Sequence, residues 1–129
     1  MNRVQTTIDL REGVTVSILV TPALYGVAKR RGIDLVADAN AGDTYASYVK
    51  IIYCAAINAW EVAAVDDPKR GEFPYTFADF HTWAWADRDR LTKMVAFCYE
   101  AMTGKRWDDL LKDAGEKAVG SKKNGSRKG

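Results

Sequence analysis

Apolar residues recur between Asp43 and Val65 at the spacing of a helix. They fall at positions 45, 48, 49, 52, 56, 59, 60 and 63, three or four residues apart for the most part, with no proline or glycine in the run. Asp43 is the N-cap that we expect, and Asp66, Asp67 and Pro68 end the run. The other face is apolar as well. We therefore predict a helix of about 22 residues, roughly 33 Å long, that the rest of the chain surrounds.

Two short segments rich in β-branched residues precede this helix. Residues 4–10 alternate weakly between polar and apolar, and residues 14–20 alternate more clearly. The apolar face of the second segment consists of Val14, Val16, Ile18 and Val20. A loop at 11–13 separates the two segments, so we predict a β-hairpin with strands at about 4–10 and 14–20. Because an isolated hairpin is only marginally stable in water, its apolar face should pack on the helices.

Thr21 and Pro22 form a strong signal for the start of a helix, a hydroxyl N-cap followed by proline at the first helical position. This helix should end at Gly32. Three cations precede that glycine: Lys29, Arg30 and Arg31. They could contact phosphate, but we favour a solvated last turn in which they oppose the negative end of the helix dipole.

Further capping signals follow the long helix. Thr76 to Asp79 match the acidic form of a capping box and should open a short helix, while Asp87 should begin the next one. Gly104 should end that helix, whose apolar stripe is Leu91, Met94, Val95, Cys98 and Met102. We also predict a last short helix at 107–114, with the apolar residues Trp107, Leu110 and Leu111.

The aromatic content indicates a chain with a substantial core. The 129 residues include four Trp, six Tyr and four Phe. The net charge of +2 is uneven, because residues 115–129 hold five cations against one anion, which leaves −2 for residues 1–114. We predict a mainly α fold, one small helical domain at 1–114 that combines a long central helix with the N-terminal β-hairpin. A flexible basic tail should follow at 115–129.

The two cysteines, Cys54 and Cys98, lie in separate helical segments with no second cysteine nearby. Charged residues interrupt the first twelve positions, which therefore lack the pattern of a secretory signal. Lys50 divides the longest apolar run. These features favour a cytoplasmic protein with reduced, packed thiols and no membrane partner.

Candidate catalytic chemistry is sparse. His81 is the only histidine, and no metal-ligand spacing accompanies it, so we favour a surface or packing role over a general base or a metal ligand. The acidic pairs at 66–67 and 87–89 lie at predicted helix ends, where carboxylates cap the backbone. No glycine-rich loop follows a strand. We predict a protein that is not an enzyme and that has no catalytic residue, metal or cofactor.

The basic tail raises the question of nucleic-acid binding. Its candidate contact residues are Lys122, Lys123, Arg127 and Lys128. No aromatic residue accompanies them to stack on bases, and the preceding body is acidic. We therefore favour a solvated, flexible end over a nucleic-acid partner.

The segment from Phe73 to Trp85 is the most aromatic part of the chain, with six aromatic rings in thirteen residues. A short helix cannot bury all of them against one neighbour, and exposed aromatic residues mark protein-binding sites. The candidate protein-binding residues are Phe73, Tyr75, Phe80, Trp83 and Trp85. Core packing is the alternative for each ring, and we expect Trp85 or Phe73 to remain accessible.

Four segments resemble the tail assembly chaperones of long-tailed, siphovirus-like phages and prophages. They are TPALYGVAKRRGIDL at 21–35, YVKIIYCAAINAW at 48–60, FPYTFADFHTW at 73–83 and EAMTGK at 100–105. The resemblance implies a small, helical, non-catalytic protein of the host cytoplasm. Such a protein binds the long helical tape-measure protein, helps tail-tube subunits to assemble around it and is absent from the mature virion.

The same resemblance implies a longer form made by programmed frameshifting, with an A-rich run encoding residues 122–124 as the hypothetical slippage site. The nucleotide sequence of the gene would decide this. Two alternatives stay open, a minor structural or completion protein of the phage tail and a small nucleic-acid-associated protein that uses the basic tail. Mass spectrometry of purified particles separates a chaperone from a tail component. We also leave self-association open.

Overall fold

A computed structural model describes residues 4–35 and 44–106, together with Asp109 and Lys112. The elements are β1 (Gln5–Arg11), β2 (Val14–Leu19), α1 (Ala23–Arg30), α2 (Thr44–Asp66), a 3-10 turn (Pro68–Arg70), α3 (Phe77–Ala86) and α4 (Arg88–Thr103). The predicted fold class is confirmed, a mostly helical chain with an N-terminal hairpin and one long helix. Three predictions lie wholly or mostly outside the described residues: the N-cap at Asp43, the helix at 107–114 and the tail at 115–129. These predictions and the domain boundary stay open.

The hairpin pairs β1 with β2 in antiparallel register, Ile8 opposite Val16 and Arg11 opposite Val14. The register shifts between Asp9 and Arg11. Alternate residues are buried on one face, as the β-branched pattern predicts: Ile8, Leu10, Val16, Ile18 and Val20. That face lies on the helices, chiefly through contacts of β2 with α2. A hairpin that is marginal alone is stabilised here by apolar burial.

Two glycines with opposite requirements allow a matched test. Gly13 in the hairpin turn has a φ of +75°, a backbone conformation in which an L side chain is strained. Gly26 is inside α1, and the Cβ of an alanine at this position would lie 3.5 Å from Arg30 Nη1, which is an ordinary contact. We expect Gly13→Ala to lower the free energy of unfolding by about 1–2 kcal/mol. Gly26→Ala should raise it by about 0.5–1 kcal/mol, because alanine favours the helix interior. Denaturant unfolding of both variants measures the two changes in the free energy of unfolding. A decrease for both variants would contradict the different backbone requirements of the two glycines.

Helix α2 occupies the centre of the fold. Nine consecutive residues, 51–59, are buried, and the helix packs against β2, α1, α3 and α4. Burial on both faces explains why the sequence of this helix is apolar all round. The exposed exceptions come at its C-terminal end, where Val62 and Val65 are 51% and 78% exposed.

Among the described residues, α2 is also the one helix long and apolar enough to cross a membrane, over Tyr45–Asp66. Of its most apolar 18-residue window, 56% is buried inside the fold. Core helices and membrane spans share this length and composition, so neither property distinguishes them.

The predicted N-cap role of Thr21 is wrong. Helix α1 begins at Ala23 with Pro22 at the N-cap position and without a side-chain cap. The Thr21 hydroxyl instead accepts a hydrogen bond from Asn58 Nδ2 at 3.0 Å. Asn58 is only 2% exposed on α2, and a buried amide must find acceptors inside the protein. The prediction that Gly32 stops the helix is confirmed by its φ of +70°.

The cations at the end of α1 are exposed, as we expected, and two of them contact α2. Arg30 Nη2 lies 2.6 Å from Glu61 Oε2, and Arg31 Nη1 donates to the Tyr53 hydroxyl at 3.4 Å. Both partners of the Arg30 pair are largely solvated, so the pair contributes little to stability.

The caps of α3 and α4 are confirmed. Thr76 Oγ1 accepts from the Asp79 N–H, and Asp79 Oδ2 accepts from the Thr76 N–H, which forms the capping box. The bond from the Thr76 backbone holds the pKa of Asp79 below its usual value. Asp87 accepts from the first turn of α4, and Gly104, with a φ of +75°, ends that helix.

Candidate functional site

Two of the predicted contact residues belong to the core. Phe80 is 0% exposed and Trp83 is 3% exposed, so both rings follow the core-packing alternative and neither is presented at the surface. The physical reason is their spacing on α3, where positions three apart share the face that packs on α2. The segment therefore divides its aromatic residues between the core and the surface.

Phe73 and Tyr75 are half-buried in a cluster of rings that we call the aromatic cluster. Its members are Tyr53, Trp60, Phe73, Tyr75, Phe77 and Phe80. The Phe73 ring lies 5.5–6.2 Å from four of the other rings. Its expected accessibility is therefore only partial. The Arg70 guanidinium covers Trp60 at 3.8 Å, and Trp60 Nε1 donates to the Gly71 carbonyl at 3.0 Å.

Trp85 is the aromatic residue of this segment that the fold presents to solvent, with 66% of the residue exposed. The expectation that it remains accessible is confirmed. Two neighbours hold the ring: Tyr45 meets it edge-on at 6.2 Å, and the Arg88 guanidinium lies 4.5 Å from the ring centroid. We call Tyr45, Trp85 and Arg88 the Trp85 surface. It combines residues from α2, α3 and α4.

His81 packs between rings. Its imidazole lies 4.6 Å from Phe77 and 5.5 Å from Tyr45, whose hydroxyl donates to the His81 carbonyl at 3.3 Å. Within the described part of the chain, no group of three or more His, Cys, Asp or Glu side chains is placed to hold a metal ion. His81 thus has the packing environment that its isolation in the sequence favours.

Both thiols are free and buried, as predicted. Burial raises the pKa of Cys54 to about 11, although Arg31 and Lys50 partly oppose the shift. Burial likewise raises the pKa of Cys98 to about 12. Since the thiolate is the nucleophilic form, neither group is activated for covalent chemistry near neutral pH.

The sequence predicted none of the surface pockets that the described residues form, and two of these pockets have an apolar wall. The first, which we call the Trp83 pocket, has a volume of about 260 Å³ between β1, α3 and α4. The second is a groove of about 250 Å³ beside Tyr25, a residue that is 53% exposed. Residues far apart in sequence line each of them. For the Trp83 pocket, the local signal in the sequence was the pair of cations Arg90 and Lys93, which lie next to the apolar stripe of α4.

The candidate tail contacts Lys122, Lys123, Arg127 and Lys128 lie outside the described residues, and their role stays a prediction. No protein-family model matches the chain, and no curated protein or solved structure is significantly similar to it. The likeness to tail assembly chaperones therefore depends on the four sequence segments alone.

Proposed function

We propose that this protein is a non-catalytic tail assembly chaperone. It would hold apolar helical segments of the tape-measure protein while tail-tube subunits assemble, in the host cytoplasm and without entering the mature virion. The resemblance of the four segments supports the identity of the client. Trp85 is exposed and is held by contacts with Tyr45 and Arg88, which indicates a surface that binds protein. This is the observation that carries the proposal.

The Trp85 surface has the properties of an interface anchor. Tryptophan is enriched among residues that dominate binding energy, and its ring has only two side-chain torsions to order. Tyr45 and Arg88 already restrict those torsions. A partner would therefore gain contact area at a small cost in conformational entropy.

The expected gain can be estimated from area. A buried aromatic residue removes about 150–250 Å² from water, and Trp85 keeps 66% of its surface exposed. At about 25 cal/mol/Å², covering the rest provides about 2–4 kcal/mol. That magnitude suits reversible holding, because several such contacts are needed to offset the loss of translational and rotational freedom.

The test is Trp85→Ala in the full chain, with the tape-measure protein of the same genome as partner. We expect affinity to fall by about tenfold or more, while the free energy of unfolding changes by about 1 kcal/mol or less. Isothermal titration calorimetry measures the first quantity and denaturant unfolding the second.

Tyr25→Ala is the matched control, because Tyr25 is also an exposed aromatic residue, on a different helix. It should leave client affinity unchanged. An equal loss from both variants would show that Trp85 is not the contact. Failure of the unaltered protein to bind the tape-measure protein would contradict the proposed function itself.

A further inference from the structure

The Trp83 pocket combines an apolar wall with two cations. Its lining includes Ile8, Asp9, Trp83, Arg90, Lys93 and Met94. The volume of about 260 Å³ suits one or two amino-acid side chains better than a folded domain. Trp83 is 3% exposed, so it forms a fixed wall and does not project toward solvent.

Arg90 is the central charge of this pocket. Its Nη2 donates to the Trp83 carbonyl at 2.7 Å, and its guanidinium carbon lies 4.9 Å from the centroid of the Trp83 ring. These contacts orient the Arg90 guanidinium but supply no negative charge. Among the described residues, Arg90 has no carboxylate within ion-pair distance, and its buried Nε has no hydrogen-bond partner.

A half-buried cation without an ion-pair partner has lost hydration that the Trp83 carbonyl and ring replace only in part. Lys93 follows Arg90 by three residues on α4, which places both cations on one side of the helix. Asp9 on β1 is the opposing charge, and its carboxylate accepts from the Thr15 hydroxyl at 3.1 Å. The lining therefore has two cations against one anion and favours a negative ligand.

We propose that the Trp83 pocket binds an acidic side chain of a protein partner together with the apolar side chain next to it. The carboxylate would lie against Arg90 and Lys93, and the apolar group against Ile8, Trp83 and Met94. This deepens the proposed function, on which it depends for the partner's identity: the client segment carries an acidic residue beside an apolar one. A protein suits this pocket better than nucleic acid, because a sugar–phosphate backbone presents mainly charged and polar groups and no large apolar side chain for the apolar wall.

Two capped dipeptides test the chemistry without the client. N-acetyl-leucyl-glutamate amide carries the carboxylate, and N-acetyl-leucyl-glutamine amide replaces it with a neutral amide of the same shape. NMR signals of the Met94 methyl group and the Trp83 indole report binding to the full chain. We expect the glutamate peptide to bind about two- to fivefold more tightly, within the range for partly solvated charge pairs.

Charge variants locate the effect. Lys93→Gln should lower the preference for the glutamate peptide, because only Arg90 then attracts the carboxylate, and Asp9→Asn should strengthen binding of that peptide. Binding of the glutamine peptide should change little in either variant. Lys69→Gln is the matched control, because Lys69 is exposed in the 3-10 turn and does not line the pocket. Arg90 is left intact, since its contacts with Trp83 also stabilise the fold.

Equal affinity for the two peptides, no saturable binding of either one, or an equal response to Lys69→Gln would overturn the proposal. So would displacement of the glutamate peptide by a short DNA duplex that binds through Lys93, which would make this a phosphate site. Because these measurements use this protein alone, their failure is distinguishable from loss of tape-measure binding.

Discussion

Replacing Phe80 with alanine should lower the free energy of unfolding by about 3–5 kcal/mol, the range for removing a buried aromatic ring. Phe80 is 0% exposed and lies 5.3 Å from the Tyr53 ring and 6.2 Å from the Phe73 ring. The variant loses apolar burial and two ring contacts, and the rigid neighbours can refill the space only in part. Against a typical total stability of about 5–15 kcal/mol, this loss is large.

Trp85→Ala provides the control on the same helix, since Trp85 is 66% exposed and makes only peripheral ring contacts. Its loss should be about 1 kcal/mol or less. Denaturant unfolding of the full chain compares the two variants. Similar losses would mean that α3 does not present Phe80 inward and Trp85 outward, and the account of the aromatic segment would then be wrong.

Asn58→Ala should be the second severe substitution, with an expected loss of about 2–4 kcal/mol. Asn58 Nδ2 donates to the Leu19 carbonyl at 2.9 Å and to the Thr21 hydroxyl at 3.0 Å. One buried amide therefore joins α2 to the chain where β2 leads into α1. Alanine leaves both acceptors without this donor and also leaves a void.

A double-mutant cycle with Thr21→Val isolates the side-chain bond. We expect a coupling of about 0.5–1.5 kcal/mol between Asn58 and Thr21, because each single variant already removes their shared bond. Thr82→Val is the matched control, since the Thr82 hydroxyl bonds within α3 to the Ala78 carbonyl. Equal coupling of Asn58 to both threonines would contradict a specific link between α2 and the start of α1.

The long helix and most helix ends were predictable because their signals are local. The apolar spacing through 45–63 describes α2, and Thr76, Asp79 and Asp87 act as the caps that their positions indicate. Gly32 and Gly104 end their helices with a left-handed backbone that glycine adopts without strain. Each of these features depends on interactions within a few residues.

Thr21 shows where such local reasoning fails. Its hydroxyl suited an N-cap, yet the amide of Asn58, 37 residues away, takes it as an acceptor. Sequence spacing likewise did not reveal the Trp83 pocket, whose lining comes from β1, α3 and α4. Both features are produced by elements that meet only in the folded chain.

By itself, the sequence determined a mainly helical fold with a hairpin, the position of the apolar central helix and the presence of six aromatic residues between Phe73 and Trp85. Only the tertiary structure decided that Phe80 and Trp83 face the core, that Trp85 is more exposed than Phe73 and that Arg90 forms no ion pair within the described part of the chain. The reason is physical: periodicity and capping act over one or two helical turns, whereas exposure and charge pairing depend on which distant elements cover a side chain.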